Sequence, residues 1–117
     1  MFEGGGSRAR KRQRKLRGST IAVVKQRAAS CGSHFFERGT LRFFNSKVER
    51  SIYPSRDGRR IYFITSEQFK PSSGIADKRR WSLRVQRGCR IATVGDFQAY
   101  SSLTAARDAA RALVRRR

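Results

Sequence analysis

The sequence predicts an α+β domain: an N-terminal helix, an antiparallel meander of three to four strands, and a C-terminal amphipathic helix packed on one sheet face. Three observations carry this. Residues 81–94, WSLRVQRGCRIATV, alternate apolar and polar side chains on either side of an Arg-Gly-Cys turn, the pattern of a β-hairpin. Leu103, Ala106, Ala110 and Leu113 recur at helical spacing behind the Ser101-Ser102 pair, which can cap the helix. Asp57-Gly58 separates two extended-looking segments, and consecutive strands joined by turns give an antiparallel sheet.

In chain order, MFEGGGS is a glycine-rich opening without the apolar region of a secretory signal. RARKRQRKLR at 8–17 holds no acid and reads as a solvated basic arm. The predicted domain boundary therefore falls between an arm at 1–18 and a single α+β domain at 19–117. Ser19 or Thr20 can cap a first helix whose stripe is Ile21, Val24, Ala28 and Cys31, with Gly32 ending it. SHFFERGT at 33–40 is a turn or short helical piece whose Phe35 and Phe36 plug one end of the core. LRFFNSKVERSIY at 41–53 reads as a strand up to Pro54.

RRIYFITS at 59–66 is the clearest strand, and its unbroken apolar run predicts a central position covered at least partly on both sides. Residues 67–80 form a loop ending in Lys78-Arg79-Arg80. In the strand that follows, Trp81, Leu83 and Val85 take one face, against the C-terminal helix. Arg80, Ser82, Arg84 and Gln86 take the other.

Charge bounds the partners. The chain carries 28 Lys and Arg against eight Asp and Glu, a formal net charge of +20. The arm contributes +6 of this and the domain +14, so the basicity is not confined to the tail. Such charge opposes compaction by self-repulsion, and a polyanion relieves it. Nucleic acid is the first candidate, DNA ahead of RNA. A host protein or other acidic protein surface comes second, and no membrane partner is expected, since no apolar run approaches the roughly 20 residues of a membrane span. Cys31 and Cys89 make no disulfide framework and read most simply as free thiols of an intracellular protein; a single bridge between them stays open, with nothing in the sequence to favour it.

Catalytic and metal chemistry find little footing. His34 lacks an evident orienting acid, the acids of the domain are scattered singly, and there is neither a Walker loop nor a dinucleotide fingerprint. Cys31-x-x-His34 has metal-ligand spacing, with Cys89 a third donor, but a closed zinc site needs a fourth. Ser66-Glu67 reads as a turn cap after the strand. No enzyme activity, cofactor or metal is expected. The expected contacts to nucleic acid are Arg8, Arg10, Lys11, Arg12, Arg14, Lys15 and Arg17 of the arm, with Arg79, Arg80, Ser82, Arg84, Gln86, Arg87 and Arg90 of the hairpin. Arginine and glutamine can contact base edges in pairs of hydrogen bonds, and serine either bases or phosphate. Arg107, Arg111 and Arg115 form a helical stripe; Arg107 and Arg111 read as a solvated flank, and the role of the terminal arginines stays open.

Two resemblances add to this reading. HFFERGTLRFFNSKV, IYFITSEQF and RIATVGDFQAYSSLTAARDAA resemble a family of small uncharacterised domains from phages and prokaryotic genomes, which implies a phage or prophage origin and no particular activity. Residues 81–114, through Trp81, Gly88, Gly95, Phe97 and the Ala-rich helix, resemble AP2-type domains and the arm-binding domains of phage-type integrases. That likeness implies DNA binding by the open sheet face. A helix, a three-stranded sheet and an Ala-rich helix also describe double-stranded-RNA-binding domains, but here the last helix opens on SSLTAA rather than on basic residues. The leading expectation is a phage-encoded, non-enzymatic protein of the host cytoplasm that binds duplex DNA. The alternatives are a host-takeover inhibitor and a ribosome-associated RNA-binding protein.

Overall fold

The computed structural model describes residues 20–43, 45–69 and 77–115; the predicted arm at 1–18 lies outside them. The chain runs α1 (Ile21–Ser30), α2 (Arg38–Phe43), β1 (Ser46–Pro54), β2 (Arg60–Glu67), β3 (Arg80–Arg87), β4 (Arg90–Val94) and α3 (Leu103–Arg115). The four strands form one antiparallel sheet in the order β1-β2-β3-β4.

The predicted fold class is the observed one, with one change that governs the rest. Helices cover both faces of the sheet. On one face α3 lays Ala106 and Ala110, both fully buried, against Tyr62, Ile64, Leu83 and Val85. Alanine on that stripe lets helix and sheet approach closely, while Leu103 and Leu113 close the flanks. On the other face Ile21 and Val24 of α1 pack with Ile52, Ile61 and Phe63, and Phe35, Phe36 and Ile91 complete the cluster. Complete burial of side chains such as Phe63, Ile61, Ile64 and Leu83 is worth about 1.5–3 kcal/mol each. β2 carries apolar side chains on both faces because it faces both layers; all seven residues from Ile61 to Glu67 are buried.

Local chemistry sets the element ends. Thr20 caps α1 through a long contact from the Ala22 amide, and Gly32, at φ +74°, turns the chain out of it. Ser102 caps α3 by accepting from the Ala105 amide at 3.1 Å. The β1–β2 turn is held by Asp57, whose carboxylate accepts from the Ser55 hydroxyl and the Arg59 amide. Those two bonds favour the ionised form and hold the Asp57 pKa below its ordinary value. Residues 41–53 differ from the single strand predicted. Leu41–Phe43 close the short α2, and Asn45, at φ +48°, reverses the chain before β1 begins at Ser46. Asparagine tolerates that left-handed geometry, a signal that the Phe-rich strand pattern masked.

Cys31 and Cys89 are not free thiols. They form a disulfide with their Cα atoms 5.6 Å apart, joining the C-cap of α1 to the β3–β4 turn across 58 residues of sequence. Cys31 is exposed rather than the last apolar contact of its helix, and the bridge removes both thiols from any zinc site. α1 itself buries only Ile21, Val24 and Ala28, so the crosslink is a large part of what holds it in place. Closing a loop of that length stabilises by about 4 kcal/mol on the chain-entropy argument. The paired Cys31→Ser/Cys89→Ser variant, or reduction of the wild type, is expected to lower the urea unfolding free energy by about 3–4 kcal/mol. Identical urea curves with and without reductant would show that the packing of α1 alone fixes it.

Candidate functional site

The strand expected to read nucleic acid lies in β3, and its alternation is as predicted: Leu83 and Val85 face α3 while Ser82, Arg84 and Gln86 face the other way. The second face is not open. Ser82 is fully buried, Gln86 is 1% exposed, and the Arg84 side chain is 12% exposed. Three segments cover it: α1 over Gln86, the Phe35 and Phe97 rings over Arg84, and the loop carrying Gln98 over Ser82.

The hub of that face is Glu67, fully buried at the end of β2. Its carboxylate accepts from the Ser82 hydroxyl at 2.8 Å through one oxygen. The other oxygen accepts from Thr65 Oγ1 at 2.6 Å and from Arg84 Nη2 at 3.0 Å. Arg84 also donates from Nε to Thr65 Oγ1 at 3.0 Å and from Nη1 to Thr93 Oγ1 at 2.6 Å. Its guanidinium carbon lies over the rings of Phe35 and Phe97, 5.4 and 5.3 Å from their centroids, close enough for cation–π attraction to both.

The Ser82 hydroxyl in turn accepts from the Gln98 amide at 2.8 Å, and Gln98 Nε2 donates to the Glu67 carbonyl at 3.0 Å. These bonds fix Gln98 at φ +58°, a left-handed geometry that costs a glutamine about 1–3 kcal/mol. Gln86 donates to the Val24 carbonyl of α1 at 3.0 Å. Three of the expected base-reading residues are therefore internal fasteners. Ser66-Glu67 is no turn cap either, because both residues belong to β2 and are buried.

The remaining hairpin residues divide into two groups. Arg79 donates to the Ser66 carbonyl at 3.0 Å and hydroxyl at 2.9 Å, and Arg80 to the carbonyls of Gln98 and Ala99 at 2.8 and 3.2 Å. Arg80 thus braces the loop that follows β4, while Arg79 ties the segment before β3 to the end of β2. Arg87 and Arg90 are exposed at the hairpin tip, with no side-chain hydrogen bond or ion pair among the described residues. The predicted arm contacts, Arg8, Arg10, Lys11, Arg12, Arg14, Lys15 and Arg17, lie outside the described residues. Arg111 comes within 3.8 Å of Asp108, as a solvated flank would have it.

A notch of about 210 Å³ opens beside the network, lined by Phe35, Thr40, Leu41, Ser46, Arg84 and Phe97. Its one charged side chain is already neutralised by Glu67, and its other walls carry no carboxylate, imidazole or thiol. His34 does have an acid: Glu37 lies 2.7 Å from its Nδ1, and that bond raises the His34 pKa above 6.5. Both side chains are exposed. No cluster of three or more His, Cys, Asp or Glu able to hold a metal occurs among the described residues, and no described helix is long and apolar enough to cross a membrane.

Residues 20–111 match a family of unknown function, DUF7447. The chain belongs to that family. The match runs from the cap of α1 into the last turns of α3, so the DUF7447 unit comprises both helical layers and the whole sheet, including the network around Glu67. No match to the chain was found among curated proteins or solved structures. The likeness of 81–114 to sheet-reading DNA-binding domains does not extend to an open sheet face, because here Ser82, Arg84 and Gln86 are covered by α1, Phe35 and the loop of Phe97 and Gln98.

Glu67 was not legible as the partner of Arg84, although alternation along 61–67 places it with Phe63 and Thr65 on the α1 side. Replacing Glu67 by Gln, or Arg84 by Met, leaves one charge buried without its counter-charge and is expected to cost about 3–5 kcal/mol. The double variant should lose less than the sum. Urea unfolding of the four proteins measures the coupling, and strict additivity would show that the two charges do not depend on each other.

Proposed function

We propose that this domain is a non-enzymatic nucleic-acid-binding protein whose first partner is duplex DNA. One observation carries the reading: the positive charge of the folded part is not internally balanced. Eighteen Lys and Arg stand among the described residues against seven Asp and Glu. Only Arg84 and Arg111 of those eighteen lie within salt-bridge distance of an Asp or Glu there. The unpaired majority includes Arg27, Arg38, Arg42, Lys47, Arg50, Arg56, Arg59, Arg87 and Arg90, all exposed. A phosphodiester backbone supplies the missing counter-charge, and its condensed ions are released on binding. The 8–17 arm adds further sequence-independent contacts.

A phage origin and a place in the host cytoplasm belong to the same proposal. There the bridge between the exposed Cys31 and Cys89 would be accessible to cellular thiols.

Titrating the full chain with duplex DNA at 50 and 200 mM salt is expected to show affinity falling by about 10³-fold or more, the loss for six or more neutralised phosphates. Deleting residues 1–18 should weaken binding equally on unrelated sequences. Absent or salt-independent binding would refute the reading. A single protein partner that survives nuclease treatment of a lysate would place the chain instead with host-takeover factors.

A further inference from the structure

The deepest feature of the charge distribution is a row, and it lies on the face opposite the one the sequence pointed to. Arg60 opens β2, Arg87 ends β3 and Arg90 opens β4. The register pairs Arg60 with Arg87 and Arg87 with Arg90. Cross-strand partners point to the same side of a sheet. Here that side is the one covered by α3, because Tyr62, Val85 and Val94, which alternate with these positions, pack against that helix. The row lies at the end of the sheet where β1 also finishes. There the last turns of α3 lie over β1: Arg111, Val114 and Arg115 line one shallow hollow with Ile52, Tyr53 and Pro54.

Three properties make the row more than surplus charge. It forms no ion pair: no carboxylate lies within salt-bridge distance of Arg60, Arg87 or Arg90 among the described residues, and only Arg60 feels an acid, Asp57, from beyond that distance. Its arrangement is unfavourable in the free protein, since like charges directly opposite on neighbouring strands repel. It is also rigidly held. Gly88, at φ +57°, occupies the first central position of the two-residue turn between Arg87 and Arg90, which suits a type II′ hairpin. The second central residue, Cys89, is bonded to the end of α1.

We propose that Arg60, Arg87 and Arg90 form a rail for the phosphodiester backbone of a nucleic-acid duplex, contacting phosphates and reading no bases. This rests on the nucleic-acid reading above and gives it a location. Strands about 4.8 Å apart put the three Cα atoms within about 10 Å. Duplex DNA carries one phosphate per 3.4 Å of axis on each strand, a charge density matched to three guanidinium groups over that span. An acidic protein surface presents carboxylates more sparsely. The side chains suited to base edges, Ser82, Arg84 and Gln86, are committed to the interior, which leaves the rail to position rather than specify.

The test compares the full chain with Arg87→Ala/Arg90→Ala and with Lys47→Ala/Arg50→Ala, an exposed pair of equal charge on β1. Binding is titrated on two unrelated DNA duplexes and one RNA duplex across a salt series. The rail predicts a loss of at least tenfold for the hairpin pair, equal on both DNA sequences. It also predicts a log–log salt slope lower by about two, and a much smaller loss for the β1 pair. The melting temperature of the hairpin variant should stay level or rise as repulsion is relieved. Equal losses for the two variants would overturn the rail while leaving nucleic-acid binding intact, whereas no binding by the unaltered chain would remove the underlying reading. A loss confined to one DNA sequence would overturn the phosphate assignment, and displacement of DNA by polyglutamate at equal charge would assign the row to an acidic protein. The RNA arm shows whether the rail distinguishes duplex types; preference for either keeps the phosphate contact.

Discussion

Burial of the Glu67 carboxylate at the last position of β2 dictates how its neighbours must be arranged. An ionised group wholly removed from water must have its charge and its lone pairs answered by neighbours. Arg84 supplies the charge, while Thr65 and Ser82 supply the hydroxyls. Arg84, so committed, needs its own donors satisfied, which brings in Thr93, and its guanidinium carbon lies over Phe35 and Phe97. Ser82, as acceptor, holds Gln98 in a strained geometry. One acid thus fixes the pairing of three strands and the path of two loops. A network of this kind costs desolvation, and its return is one specific arrangement of the chain.

α1 completes the same layer by a different route. Its few apolar contacts cover Ile61 and Phe63, Gln86 fastens its middle, and the Cys31–Cys89 bridge ties its end to the hairpin. The crosslink therefore serves two surfaces at once. It keeps the polar face of β3 closed, and it holds the turn that carries Arg87 and Arg90.

Much of the fold was legible because its causes are local. Alternation in WSLRVQR, the apolar run IYFIT, the Asp57-Gly58 turn and the spacing of Ala106 and Ala110 each specify an element without reference to its neighbours. Cover on both faces was read for β2, from its unbroken apolar run, but not for β3, although a helix with the stripe Ile21, Val24, Ala28 requires a surface to cover and α3 already occupies the first. Arg84 and Gln86 look like nucleic-acid contacts in sequence because side-chain type says nothing about exposure. Glu67 and Arg60 were missed for a related reason. Their roles come from register, which pairs Glu67 with Arg80 beside Arg84, and Arg60 with Arg87, and register is a property of the assembled sheet.

The polar face of β3 is sealed, and on the proposal above anionic partners meet the opposite side at the sheet end. Backbone amide shifts of the oxidised full chain, followed by NMR as duplex DNA is added, test this most directly. Binding along the rail gathers perturbations at Arg60, at residues 87–90 and along the last turn of α3, and leaves Ser82, Arg84 and Gln86 unmoved. Shifts centred on Ser82, Arg84 and Gln86, with the hairpin tip silent, would contradict it.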